Sequence, residues 1–167
     1  SGLEASHLLR ELVELTDFPI TSTLMGLGAY PASGKNWLGM LGMHGTYEAN
    51  TAMHHSDVIL AVGARFDDRV TGDVKSFAPG AKVIHVDIDP AEIGKIRHAD
   101  VPIVGDAKVV IAMLIAELER QLVGKKPDFD AWWQFLNGLK ERYPLGYVDL
   151  DDGKLAPQTV IKRIGEI

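Results

Sequence analysis

The run Val58-Ile59-Leu60-Ala61-Val62, which Gly63 follows, decides the fold class of this chain. A continuous apolar run of this length, ended by glycine, is typical of a strand that is buried on both faces, as strands of parallel sheets are. Segments with helical spacing alternate with this run and with three similar ones, at residues 20–23, Lys82–Asp87 and Val101–Val104. That alternation predicts an α/β fold, a doubly wound, Rossmann-like, mostly parallel sheet with helices on both faces.

Helices are predicted where apolar residues recur every three to four positions. The first is predicted over residues 3–16, where Leu8, Leu12 and Leu15 share a face. Asp106 is placed to cap a helix over Ala107–Leu122. Further helices are predicted at residues 46–54 and 129–142 and from residue 157 to 167, with a short helical turn at 91–96. The glycine-rich segment 26–45, the stretch 124–127 and the acidic segment 149–153 are predicted as loops.

The composition argues against several classes of function. The chain has 167 residues, 46% of them apolar and 24% charged, with a formal net charge of −6. An acidic chain without a basic cluster is a poor partner for nucleic acid, and no run approaches the roughly 20 apolar residues that cross a bilayer. Because cysteine is absent, disulfides and thiolate metal sites are excluded. His44, His54 and His55 lack the spacing of a metal site.

Four segments follow the predicted strands and are expected to meet at one edge of the sheet, where ligands of open α/β sheets bind. They are residues 23–28, 63–72, 87–90 and 105–107. Each contains Gly or Asp, which bring backbone N–H groups or carboxylates close to a ligand. The glycine-rich segment 39–45, before the helix at residue 46, adds free N–H groups that attract anions. The sequence therefore predicts a site for a phosphate-containing ligand.

Arg65 and Arg69 are the most informative side chains at these strand ends, since a guanidinium binds phosphate or carboxylate through a planar fork. Asp67 and Asp68 are placed to orient them. Asp87 ends a strand, as does the acid that binds ribose in dinucleotide folds. The alternative is a solvated ion-pair cluster, worth roughly 0 to 1 kcal/mol, with Asp87 as a strand terminator. The spacing alone leaves both interpretations open.

Five segments resemble the middle domain of the catalytic subunit in the acetohydroxyacid (acetolactate) synthase family. They occur in that family's order and at its spacing, and the resemblance covers nearly the whole chain. Together they are specific, whereas each alone is not. The segments are residues 23–28, TLMGLG; residues 38–50, LGMLGMHGTYEAN; residues 63–72, GARFDDRVTG; residues 85–95, HVDIDPAEIGK; and residues 102–106, PIVGD.

The resemblance implies a flavin nucleotide site. In that family the middle domain binds FAD in an extended pose, and the flavin does no net redox chemistry. Arg69 matches the arginine that holds the carboxylate of a second 2-ketoacid substrate, and Met43 matches a residue of the substrate funnel. The implied cofactor-binding residues are Thr23, Leu24 and Met25; Leu41, Gly42, Met43 and His44; Gly63, Ala64, Arg65, Asp67, Arg69 and Val70; Asp87 and Ile88; and Gly105, Asp106 and Ala107.

The resemblance also implies the activity of the parent enzyme. The family is a thiamine-diphosphate- and Mg²⁺-dependent transferase, which decarboxylates pyruvate and joins the two-carbon unit to a second 2-ketoacid in valine, isoleucine and leucine biosynthesis. Its thiamine diphosphate and Mg²⁺ sites lie in other domains, so the chain alone is expected to be inactive. A homo-oligomer with a small regulatory subunit is expected, cytoplasmic in a bacterium and organellar in a eukaryote.

Residues 1–124 are expected to form the central FAD-binding domain, truncated before the strand that in this family comes first and lies inside the sheet. Residues 125–167 are expected to be a linker and the opening helix of a thiamine-diphosphate-binding domain. Three alternatives remain. They are a non-flavin structural middle domain of another thiamine-diphosphate-dependent decarboxylase or ligase, an NAD-binding module, and a structural interaction domain. A missing G-x-G-x-x-G motif argues against NAD, since Pro31 takes the place of its third glycine.

Overall fold

The computed structural model describes residues 2–148 and 153–166, which have an α/β architecture. The strands of this part of the chain are β1 (Ile20–Ser22), β2 (Trp37–Met40), β3 (Val58–Val62), β4 (Lys82–Asp87) and β5 (Val101–Val104). Its helices are α1 (Gly2–Thr16), α2 (Tyr47–His55), α3 (Asp68–Thr71), α4 (Ala107–Leu122), α5 (Asp130–Arg142) and α6 (Pro157–Ile164). These strands pair in parallel, in two sheets ordered β1–β2 and β3–β4–β5. The predicted fold class is confirmed.

Strands β3 and β4 carry buried residues and are packed on both faces, as the apolar run of β3 predicts, whereas edge strand β5 is largely exposed. On one face, Leu12 of α1 and Ile111 of α4 pack with Leu60 of β3. On the other face, Ile59 and Val83 are buried with the segment that follows β3. Burying one such aliphatic side chain contributes about 1.5–3 kcal/mol, so this layered packing stabilises the sheet that carries the strand ends.

Strands β3, β4 and β5 and helix α4 have the bounds that the sequence predicted. Two other expectations were wrong. The segment 26–45 is not all loop, because it contains β2, which pairs in parallel with β1. Residues 91–96 form separate hydrogen-bonded turns rather than the expected helical turn, with hydrogen bonds from Glu92 N to Asp89 O at 3.1 Å and from Lys95 N to Glu92 O at 3.3 Å. Residues 149–152 of the expected acidic loop lie outside the described residues.

Asp17 joins the end of α1 to the start of β2. Its carboxylate lies 2.8 Å from Lys35 Nζ and accepts a hydrogen bond from Asn36 Nδ2 at 3.1 Å. The Lys35 hydrogen bond lowers the pKa of Asp17 below its usual value, although partial burial acts in the opposite direction. The backbone carbonyl of Asp17 accepts a hydrogen bond from the indole of Trp133 at 3.1 Å, so helix α5 is tied to the same corner.

Helix α5 packs on β2 and α2 instead of extending away from them. Leu136 is fully buried with Leu38 and Ala52. Lys140 Nζ donates to the carbonyl of Trp37 at 2.8 Å. Residues 130–142 therefore contribute to the same hydrophobic core as the segments before residue 124.

Candidate functional site

The ends of β3, β4 and β5 lie side by side at one edge of the three-stranded sheet. Gly63 N donates to Val86 O at 2.8 Å, and Gly105 N donates to Asp87 O at 2.9 Å. A Cβ on Gly63 would meet no atom within 4 Å, so there is open space beside this glycine. The structure thus brings together three of the four segments that follow the predicted strands.

The loop after β2 reaches the segment after β3. Met43 N donates to Arg69 O at 2.8 Å, and Arg69 Nη1 lies 4.0 Å from Met43 Sδ. Both side chains are exposed. Leu41, two residues before Met43, is buried in the apolar cluster that contains Leu136, and Val70 packs against that cluster. Met43, which the resemblance assigns to the substrate funnel, and Arg69, which it assigns to the carboxylate of the second substrate, are therefore neighbours, although 26 positions separate them in the sequence.

Gly42 makes this contact possible. Its φ is +92°, and a Cβ there would lie 2.4 Å from Arg69 O. The side chain of Asn50, in α2, brackets this glycine, with Oδ1 accepting from Gly42 N at 2.7 Å and Nδ2 donating to Gly42 O at 3.0 Å. Sequence reasoning missed this role of Asn50, because neither helical spacing nor composition reports a side chain that bonds eight residues back.

The segment after β1 presents apolar side chains to solvent. Thr23 Oγ1 accepts from Gly26 N at 3.2 Å and begins a single 3-10 turn, Leu24–Gly26. Leu24 is 69% exposed and Met25 91%. Leu41 N donates to Ser22 O at 3.2 Å, which joins the segment to the loop after β2. Among the described residues, no hydrogen bond joins residues 23–25 to the β3–β4–β5 edge.

The charged residues after β3 are arranged only in part as predicted. Arg65 Nη2 lies 3.4 Å from Asp67 Oδ2, in an exposed pair that contributes roughly 0 to 1 kcal/mol. Asp68 makes no ion pair with either arginine among the described residues. Asp67 Oδ1 is buried without a hydrogen-bond partner. Exposed Arg69, in the segment after β3, is therefore a cation that no described carboxylate neutralises through an ion pair.

The acids after β4 and β5 bond to their own turns. Asp87 Oδ1 accepts from Asp89 N at 2.9 Å, and Asp106 Oδ1 accepts from Lys108 N at 2.9 Å as the predicted cap of α4. Each carboxylate has a second oxygen for a ligand hydroxyl. Ile88 is 69% exposed beside Asp87. The remaining predicted residues, His44, Ala64 and Ala107, are exposed, half-buried and half-buried respectively.

Other types of site are not evident in the described part of the chain. No group of three or more His, Cys, Asp or Glu residues there is arranged to hold a metal ion. None of its helices is both long enough and apolar enough to cross a membrane. Large exposed apolar side chains at a strand edge indicate a surface that a ligand or another protein segment covers.

Comparison with known proteins gives one consistent answer. Residues 1–114 match the family model described as thiamine pyrophosphate enzyme, central domain. The chain is 56% identical to an acetolactate synthase of Mycobacterium bovis over 164 residues. The aligned region covers 98% of this chain and 26% of that protein. It is 46% identical over 157 residues to the acetolactate synthase isozyme 3 large subunit of Escherichia coli (93% and 27%). It is 46% identical over 165 residues to the chloroplastic acetolactate synthase of Arabidopsis thaliana (99% and 24%). The chain thus spans about a quarter of the length of these relatives.

Proposed function

Since the chain belongs to the thiamine pyrophosphate enzyme family, as its central domain, we propose that it is the FAD-binding part of an acetolactate synthase large subunit. The observation that carries the proposal is the contact between Met43, in the loop after β2, and Arg69, in the segment that follows the end of β3. The identity of about half of all residues to proteins of that name supports it.

The residues present fit an extended flavin nucleotide. Exposed Leu24, Met25 and Met43 offer apolar surface to a flat ring. Exposed Arg65 and the open space beside Gly63 suit phosphate oxygens, because the guanidinium is cationic and backbone can approach closely. Asp87 has an oxygen free for a ribose hydroxyl. The proposed FAD contacts are Thr23, Leu24, Met25, Leu41, Gly42, Met43, His44, Gly63, Ala64, Arg65, Asp67, Arg69, Val70, Asp87, Ile88, Gly105, Asp106 and Ala107.

The proposed parent reaction condenses two 2-ketoacids. Pyruvate loses CO₂, and its remaining two-carbon unit adds to the carbonyl carbon of a second 2-ketoacid. Thiamine diphosphate, held with Mg²⁺ outside this chain, supplies the carbanion chemistry when bound. Within this chain, Arg69 holds the carboxylate of the second acid through its two-pronged guanidinium. Met43 covers the approach to it.

Residues 1–124 are proposed as the FAD-binding unit, on whose core α5 also packs, and residues 125–167 as a linker and the opening helix of a thiamine-diphosphate-binding domain. In support, Ile161 and Ile164 of α6 are 70% and 66% exposed, which suits a helix face that a further domain covers. We propose a homo-oligomer with a small regulatory subunit, acting in branched-chain amino-acid biosynthesis, in the bacterial cytoplasm or a eukaryotic organelle.

FAD is expected to stabilise the chain against heat. At free FAD about 100 times its Kd, the gain is about 2.7 kcal/mol, or about 5–10 °C in Tm for a domain of this size. Differential scanning fluorimetry with FAD, NAD and ADP at matched concentrations measures it. The expected order is FAD first, with ADP weaker, because ADP reaches only part of the same edge.

The alternative functions predict other orders of thermal stabilisation by FAD, NAD and ADP. No shift with FAD would favour a non-flavin structural middle domain. A shift with NAD as large as that with FAD would favour a general dinucleotide module. Stabilisation by FAD alone or by FAD above ADP would leave the proposed function standing.

Arg69→Ala is expected to raise the KM for the second 2-ketoacid at least about tenfold, because each charge-assisted hydrogen bond to the carboxylate contributes about 1.5–3 kcal/mol. The measurement is a steady-state acetolactate assay in a full-length large subunit that carries this sequence. Arg120→Ala is the matched control, because Arg120 is an exposed arginine on α4 that pairs with Glu117. Equal KM values for both variants would contradict the role proposed for Arg69.

A further inference from the structure

His85 is a buried polar side chain at the centre of β4 that the proposed ligand contacts do not include. It is 1% exposed, and its backbone is paired with Ala61 on β3 and Pro102 on β5. The ring of Phe66 meets it edge-on, with centroids 5.1 Å apart. A buried imidazole in such surroundings costs free energy unless its nitrogens are hydrogen-bonded.

Both nitrogens of His85 are bonded, and to two different ligand-side segments. Nε2 lies 2.8 Å from the carbonyl oxygen of Ala64, which directly precedes Arg65. Nδ1 lies 3.3 Å from the backbone nitrogen of Gly94, in the turns that follow Asp87. The side chain of His85 therefore connects the segment that contains Arg65 to the segment that begins at Asp87.

The two partners fix the chemical form of the ring. A carbonyl oxygen only accepts, so Nε2 must carry a proton and donate it to Ala64. A backbone N–H only donates, so Nδ1 must be unprotonated to accept from Gly94. Both hydrogen bonds form together only when the imidazole is neutral and carries its proton on Nε2.

The segment that His85 holds has a strained backbone. Phe66 has a φ of +55°, which is uncommon for a residue other than glycine and costs free energy that surrounding contacts must offset. His85 supplies two of those contacts, the hydrogen bond to Ala64 and the edge of its ring against Phe66. Without these two contacts, fewer interactions fix the conformation of residues 63–69, which include Arg65 and Arg69.

We propose that His85, as a neutral Nε2–H imidazole, is a positioning residue. It sets the spacing between the segment after β3, which contains Arg65 and Arg69, and the turns after β4, which follow Asp87. The bridge itself is independent of any ligand. Its consequence for binding rests on the proposed FAD site, since those two segments are assigned to the phosphates and to a ribose hydroxyl of the nucleotide. Histidine provides an acceptor and a donor pointing in opposite directions, which few side chains can do from one buried position.

The tautomer is tested on the unsubstituted chain by two-bond ¹H–¹⁵N correlation spectra of the imidazole. The expected spectrum has a pyrrole-like Nε2 and a pyridine-like Nδ1 for His85. A pyrrole-like Nδ1, or a charged ring at neutral pH, would overturn the proposal. This measurement needs no variant to fold and no ligand to bind.

Two substitutions separate the two halves of the bridge. In His85→Asn the shorter side chain places Oδ1 near the position of Nδ1, so it keeps the acceptor for Gly94. In His85→Gln the longer side chain places its amide nitrogen near the position of Nε2, so it keeps the donor for Ala64. His98→Gln, at an exposed histidine, is the matched control.

The readouts are the hydrogen-exchange rate of the Gly94 amide and the ¹³C shift of the Ala64 carbonyl. His85→Gln is expected to speed Gly94 exchange about tenfold, the effect of losing one hydrogen bond, and to leave the Ala64 shift in place. His85→Asn is expected to do the reverse. If both variants altered both readouts equally, His85 would be a packing residue only, and the proposed bridge would be wrong.

FAD binding then tests the consequence. Both variants are expected to raise the Kd for FAD about tenfold, while His98→Gln leaves it unchanged. A confirmed bridge in a chain that binds no FAD would contradict the proposed function but not the bridge. Unaltered FAD affinity in both variants of an FAD-binding chain would contradict the positioning role and leave the proposed function intact.

Discussion

Gly42→Ala is expected to destabilise the chain by about 2–5 kcal/mol. The φ of +92° costs an alanine about 1–2 kcal/mol, and the new Cβ would lie 2.4 Å from Arg69 O. That neighbour is backbone, which cannot rotate away, so the loop after β2 must move off the segment after β3 at a further cost of about 1–3 kcal/mol. Chemical denaturation at equilibrium measures the loss as a lower midpoint with an unchanged m-value.

Gly28→Ala provides a matched control. Gly28 has a φ of +93°, yet a Cβ there would meet no atom within 4 Å. It therefore carries the backbone strain without the collision and is expected to cost only about 1–2 kcal/mol. Equal losses in the two variants would mean that the contact between Gly42 and Arg69 does not exist in solution. The amide of Met43, which donates to Arg69 O, should lose its exchange protection only in Gly42→Ala.

The difference between these two glycines shows where sequence reasoning stops. Both stand in glycine-rich loops, and nothing local distinguishes them. The sequence predicted β3, β4 and β5 with their observed bounds because each is an apolar or alternating run that ends in Gly or Asp. Such runs are properties of neighbouring residues, so they are visible without a structure.

Strand β2 escaped prediction for a related reason. It has four residues and contains Gly39, which is normally unfavourable inside a strand. The structure shows why glycine is there, since a Cβ would lie 2.5 Å from Thr46 Cγ2. The hydroxyl of that threonine donates to Leu38 O at 2.6 Å. The cause is thus a close approach between β2 and the cap of α2, which no local pattern reports.

Some residues of the candidate site could be predicted from the sequence, and others could be identified only from the structure. Strand-end glycines, arginines and acids were predictable, because parallel strands bring their carboxyl ends to one edge. Asn50 and His85 were not, because their importance comes from backbone groups that fold next to them. Residues that hold ligand-facing loops in place are therefore the part of a site that depends on the structure.

Leu136→Ala is expected to destabilise the chain by about 2–5 kcal/mol, the usual cost of removing a buried leucine side chain beyond Cβ. Leu136 is fully buried among Leu38, Leu41 and Ala52, so its loss leaves a cavity between α5, β2 and α2. For a domain of this size the change corresponds to about 4–20 °C in Tm. Thermal and chemical denaturation of the chain both measure it.

The stability of Leu136→Ala shows whether α5 unfolds together with residues 1–124. If residues from 125 onward were only a linker, truncating Leu136 would have little effect on the unfolding of residues 1–124. Leu145→Ala, at a leucine that is 86% exposed, is the control and is expected to change stability by less than about 0.5 kcal/mol. Because Leu41 belongs to the same cluster and precedes Gly42 directly, loosening α5 should also loosen the loop that contacts Arg69. Faster exchange of the Met43 amide in Leu136→Ala, but not in Leu145→Ala, would show that α5 supports the candidate site from behind, whereas unchanged exchange would confine its effect to the core.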